Sequence, residues 1–273
     1  MSTVADLAAE PLVEAARPRS WAREHAPAAA VFVGAIAAWE LLVHLANIPF
    51  FLLPAPHVIA QSFARNYPLL LEAALYTFRE ALVGYGLGCT LGVAGALVAS
   101  RWPAAARVIL PYAVASNAVP IIALAPLAIV WFGVEEGSKI AIVTLMTFFP
   151  TFISTARGLL AVSPASLELM HSYGAREGQV FLRLRLPTAL PYMFTAFKLG
   201  TTLSMIGAVV SEFFGGTFKS LGVYIKSEAS LFHTREAWSA IIVACALGIA
   251  FYLTVALVER LVIPWHVSFR KAA

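Results

Sequence analysis

With 273 residues, 60% of them hydrophobic and only 12% charged, the chain is far more apolar than a soluble domain, in which about a quarter of residues carry charge. A mean hydropathy of +0.81 excludes a soluble enzyme, and the net charge of +4 is too small to argue for a nucleic-acid partner. The composition predicts an all-α integral membrane protein.

Residues 1–26 are polar and alanine-rich, without the basic start and short apolar core of a secretory signal. They read as a cytoplasmic tail. Residues 28–46 form the first predicted span, with Glu40 and His44 four apart and so on one helical face. These two either form a polar site or mark a protein-facing, interfacial helix end. Residues 47–75 are interrupted by Pro49, Pro54, Pro56 and Pro68, which predicts a short surface helix over 57–67 and no span. The second span, 76–99, carries Gly84, Gly88 and Gly92 at four-residue intervals, a stripe along which two helix backbones can approach closely in lipid. The third, 108–132, holds Asn117 with Pro111, Pro120 and Pro126. Kinks at that depth are tolerated where protein or a cavity compensates the lost backbone bonds. The fourth, 139–160, is expected to kink near Pro150.

Residues 163–191, between two apolar segments, carry Glu168, Arg176, Glu177, Arg183 and Arg185. Ser163 before Pro164 is a helix start, a capping hydroxyl followed by a preset φ. Gly174 is a stop. A second short helix with Val180, Phe181 and Leu184 on one face is expected to end at Pro187. The stretch is either a docking element at the membrane surface or a solvated connection. The fifth span, 188–213, carries Lys198, Thr201, Thr202, Ser204 and Glu212. A polar loop over 214–236 with room for a short helix precedes the sixth span, 237–262. The membrane domain is thus 27–265, and 266–273 form a second tail. Cys89 and Cys245 lie in apolar stretches without C-x-x-C spacing and read as free thiols. The six histidines show no ligand motif, and no metal is assigned.

Six spans of this length cross a core of about 30 Å and leave both termini and the 163–191 loop on one side. Arg17, Arg19, Arg23, Arg101, Arg107, Arg157, Arg176, Arg183, Arg185, Arg260, Arg270 and Lys271 lie there, against Arg65, Arg79, Lys139, Lys219, Lys226 and Arg235 opposite. An excess of Lys and Arg marks the cytoplasmic side, so the loop is expected to face the cytoplasm. No Gly-Lys dipeptide occurs, so the chain has no Walker A loop to hold ATP phosphates.

Glu168, Gly174, Leu184, Leu186 and Pro187 fall in register with the cytoplasmic "EAA" loop of binding-protein-dependent ABC importer permeases, which this stretch resembles; Leu169 and Met170 replace the two alanines. Residues 117–133 (NAVPIIALAPLAIVWFG) and SEFFGG at 211–216 resemble the nitrate/sulfonate/taurine branch, whose relatives include pyrimidine-precursor and riboflavin permeases. The resemblance spans about 76–265. It implies a type I permease fold with a cytoplasmic coupling helix, in the inner membrane. It also implies a homodimer of permeases, two cytoplasmic ATPases that bind ATP and Mg, and an extracytoplasmic solute-binding protein. The permease itself carries no cofactor and no catalytic residue. Glu168, Leu169, Tyr173, Gly174, Arg176, Glu177, Leu186 and Pro187, within the coupling loop 163–187, are the expected ATPase contacts. For the translocation path the polar or kink-forming span residues Asn117, Pro120, Lys198, Thr201, Thr202, Ser204 and Glu212 are the candidates. Sulfonate, taurine, nitrate, a pyrimidine precursor and riboflavin all stay open as solutes. The alternative, an ion-coupled secondary transporter, would carry paired intramembrane carboxylates, and the sequence offers only Glu40 and Glu212, near span ends.

Overall fold

The computed structural model describes residues 21–265; the expected tails, 1–20 of the first and 266–273, lie outside the described residues. Every regular element among them is helical. Five helices are long and apolar enough to cross a membrane, and a bent pair, Val108–Ser116 with Ile121–Phe132, brings the number to six if it counts as one span.

Helix α1 (Trp21–Leu45) stands at the periphery, most of its side chains exposed. Helix α2 (Pro56–Arg101) is one continuous element of 46 residues. The expected surface helix and second span are therefore a single rod. At 1.5 Å per residue it is about 69 Å long, well beyond a bilayer core. Pro56 begins it, where the missing N–H costs nothing. Pro68 lies inside it, and the helix survives because Leu70, Ala73 and Ala74 just beyond are buried against Leu221, Ile225 and Ala240. Tertiary packing outweighs the local penalty here.

The third span differs most from expectation. Helix α3 (Pro103–Ser116) stops, a 3₁₀ turn (Ile121–Leu124) follows, and α4 (Ala125–Phe132) departs with a bend of 76°. The break sits at 117–120, where Pro120 lies outside helical geometry at φ −72°, ψ 82°. Pro126 belongs to the first turn of α4 and starts that helix rather than kinking it. Gly133 closes α4 with φ +84°.

Helix α5 (Glu136–Leu160) runs unbroken through Pro150 and forms the centre of the bundle with α2 and α8 (Leu186–Glu212). The glycine stripe of α2 faces α5: a Cβ on Gly88 would overlap the Thr147 hydroxyl and lie 2.6 Å from the Thr144 carbonyl, and one on Gly84 would lie 2.6 Å from Val143 Cβ. Ala81, Val143, Met205 and Ala208 fill the junction of the three helices. Helix α9 (Leu221–Ser230) lies over the end of α8, and α10 (Thr234–Val262) closes the bundle against α2, α8 and α9.

Candidate functional site

Helix α6 (Pro164–Ser172) follows α5 after three residues. Ser163 caps it, its Oγ accepting the Ser166 N–H at 3.2 Å. At the other end Ala175 N donates to Met170 O (3.0 Å) and Gly174 N to His171 O (2.9 Å), the paired bonds of a Schellman motif, with Gly174 at φ +70°. The chain reverses into α7 (Glu177–Val180), where the Arg176 N–H donates to Gln179 Oε1 at 2.8 Å. His171 Nε2 and Glu177 Oε1, 3.6 Å apart, bridge the two limbs. Tyr173 at the tip is 81% exposed and Leu169 56%. Glu168, Gly174, Arg176 and Glu177 are exposed beside them, so the predicted contact residues share one projecting hairpin.

Pro187 does not end the second limb as the sequence suggested. Residues Phe181–Arg185 form a π-turn that leads straight into α8, giving one helical run over Glu177–Glu212. Leu186 N bonds to Phe181 O. In a regular α-helix the Pro187 ring would press on the carbonyl four residues back, and the wider π-turn relieves that contact. Val180 is buried at the base, while Leu186 and Pro187 are half-buried at the root of α8. The hairpin is therefore continuous with a long helix of the bundle.

The candidate path residues do not share one site. Asn117 and Pro120, at the break between α3 and α4, line an open-sided cleft of about 240 Å³ with Ile121, Met146, Pro150 and Leu203. Thr202 lies on another face of α8, in an apolar groove of about 570 Å³ shared with Ile206, Ile241 and Tyr252. Thr201 and Ser204 are buried, and their hydroxyls donate back to Lys198 O (2.7 Å) and Thr201 O (2.8 Å). Such back-bonding uses the hydroxyl proton within its own helix and leaves no free donor for a solute. Lys198 Nζ is 2.6 Å from Glu259 Oε2 of α10.

Glu212 is sealed inside the protein instead of opening onto a path. Its Oε1 accepts the Thr77 hydroxyl (2.8 Å) and its Oε2 the Gly222 N–H (2.6 Å), while Thr77 Oγ1 accepts the Leu221 N–H (2.9 Å). Together they fasten the first turn of α9 to α2 and α8. Glu80, buried at α2, neighbours the Glu212 carboxylate. The paired carboxylates that the sequence did not offer are thus present, built into this fastening. Glu80 and Glu259 both escaped sequence reading, since neither spacing nor motif links them to partners on other helices.

A family model described as "Binding-protein-dependent transport system inner membrane component" matches residues 88–265. A formylaminopyrimidine transport permease of Halalkalibacterium halodurans is 30% identical over 84% of this chain and 91% of its own. A riboflavin transport system permease of Chloroflexus aurantiacus is 31% identical over 84% and 86%. A taurine transport system permease of Escherichia coli is 27% identical over 72% and 68%. The fold is similar to that in a crystal structure of an amino acid ABC transporter with histidines, at a TM-score of 0.57 and 17% identity over 74% of this chain and 95% of the other. A match over most of the membrane domain, carried by the same loop and helices that build the hairpin and the bundle, makes this chain a member of the binding-protein-dependent inner membrane components, the permease subunits of ABC importers, in which a separate ATPase hydrolyses ATP and a binding protein delivers the solute.

Proposed function

We propose that two copies of this chain form the translocation path of an importer for a small neutral heterocycle. The reading places both termini and the α6–α7 hairpin in the cytoplasm. The hairpin seats on the ATPase through Leu169 and Tyr173, with Glu168, Arg176 and Glu177 setting its register. Its continuity with α8 makes it a lever: ATPase closure displaces α6, and the 36-residue run over Glu177–Glu212 carries that displacement into the bundle. The break at 117–120 is the second hinge, and the cleft it opens is walled on one side by a single chain, which a second copy completes.

One observation carries the choice of solute. The cleft residues Asn117, Pro120, Ile121, Met146, Pro150 and Leu203 include no charged group, and Lys198 is neutralised by Glu259 at 2.6 Å. An apolar cleft with an amide suits a flat heterocycle better than a sulfonate, which would need unpaired donors. The relatives that transport formylaminopyrimidine and riboflavin support the same class.

Reconstitution with the cognate ATPase and binding protein tests the reading. ATP-dependent uptake of a pyrimidine precursor or riboflavin is expected, with taurine, alkanesulfonates and nitrate not taken up. Tyr173→Ala with Leu169→Ala is expected to lower uptake at least about tenfold, as loss of a central apolar contact does. Uptake of sulfonates alone overturns the solute class. Full coupling in the double variant overturns the hairpin's role.

A further inference from the structure

Glu40 and His44 lie one turn apart near the end of α1, and His57 is the second residue of α2. The connection between the helices brings all three together at the end of the bundle opposite α6. Glu40 Oε1 is 2.9 Å from His44 Nε2 and 2.5 Å from His57 Nδ1. The three ligand atoms lie within 4.8 Å of one another, and the two imidazoles stack with their planes 12° apart. Glu40 Oε2 meanwhile accepts the His57 backbone N–H at 3.3 Å. The side chains of His44, His57 and Glu40 are 62%, 50% and 31% exposed, so an ion in solution can reach them.

Capping the first turn of α2 accounts for Glu40 Oε2 alone. It leaves Oε1 aimed at two imidazole nitrogens, with the carboxylate held in that orientation by the backbone bond. A ligand oriented by a second hydrogen bond is the usual design of a metal site, and two imidazoles with one carboxylate suit zinc and its neighbours in the first transition row. We propose that Glu40, His44 and His57 bind a divalent transition-metal ion and thereby join α1 to the start of α2. Ligands at about 2.0–2.1 Å around a tetrahedral ion stand roughly 3.3 Å from one another. The two short oxygen–nitrogen distances therefore widen by less than about 1 Å as the imidazole nitrogens draw together, a movement within the rotamer freedom of exposed side chains. On binding, a proton that now lies between the carboxylate and an imidazole nitrogen leaves that nitrogen, for the other nitrogen of the ring or for water, and water takes the remaining coordination position. Among the described residues the other histidine–carboxylate pairs, His171 with Glu177 and His233 with Glu228, contain one imidazole each.

The test uses the complete permease–ATPase complex in nanodiscs, purified on a tag free of histidine and titrated with Zn²⁺ by calorimetry, with metal content measured after gel filtration. The wild-type complex is expected to retain about one zinc per permease chain. Glu40→Gln and His57→Ala each bind at least about tenfold more weakly, and His233→Ala matches the wild type. Co²⁺ gives a visible absorption band in the wild type that His57→Ala loses. Absence of Zn²⁺ binding in the wild type overturns the site, and so does unchanged affinity in Glu40→Gln and His57→Ala, or loss of the ion in His233→Ala. Where His57→Ala does not assemble, His44→Ala on the exposed face of α1 takes its place, and unchanged binding there overturns the site equally.

Discussion

At the scale of single residues, the ion pair between Lys198 and Glu259 shows how a span accommodates charge. Lys198 is a quarter exposed and Glu259 largely buried, so neither is casually hydrated. Removing one partner leaves the other without compensation, whereas replacing both with apolar groups removes the problem. Glu259→Gln is therefore expected to destabilise the detergent-solubilised protein by about 3 kcal/mol. The double substitution Lys198→Met with Glu259→Leu restores most of the loss in a thermal melt. If the double variant melts as low as the single one, the pair has a further partner. Gly174 makes a different point: at φ +70°, with nothing within 4 Å of the place a Cβ would take, its requirement is conformational, not steric. Gly174→Ala is expected to cost about 1 kcal/mol through the left-handed backbone alone, and Gly174→Asn less, since asparagine visits that region more readily. Melting temperatures in the order Gly, Asn, Ala check this. A loss at Asn as large as at Ala would show crowding that the structure does not contain.

Among the elements, α2 and α5 depend on the absence of side chains between them. The backbone approach at Gly88 leaves no room for a Cβ, and lipid offers no hydrophobic drive to hold separated helices together. Gly88→Leu is expected to destabilise the bundle by about 1–3 kcal/mol, and by more if the two helices are forced apart. Gly86, on the same helix with open space where a Cβ would stand, is expected to accept alanine with no fall in melting temperature. Equal effects at the two positions would mean that α2 packs through a different face. The hinge elements follow the same logic: the π-turn at Phe181–Arg185 absorbs Pro187, and the irregular segment before Ile121 absorbs Pro120. Pro187 is accommodated by a local change of helix winding and Pro120 by a break between helices.

For the whole molecule, the arrangement follows from which end of the bundle faces the cell interior. The proposed orientation, with the basic side cytoplasmic, predicts that a cysteine at Arg176 reacts with a membrane-impermeant maleimide only in inside-out vesicles, and one at Lys219 only in right-side-out cells. Labelling in the reverse sense would detach the hairpin from any cytoplasmic ATPase.

How much of this was legible beforehand depends on the range of the interactions involved. The sequence by itself determined the membrane class, the glycine stripe and the α6 hairpin, because composition, period and cap chemistry act within a few residues. It misjudged Pro68 and Pro187, whose local preference for a break is overridden by burial of Leu70 and Ala74 and by the π-turn. Only the tertiary structure decided which polar groups meet: Lys198 with Glu259, Thr77 and Glu80 with Glu212, and Glu40 with His57. Each of these contacts joins helices across a separation of 17 to 135 residues, and no periodicity along one chain encodes the rotation of a second helix against the first.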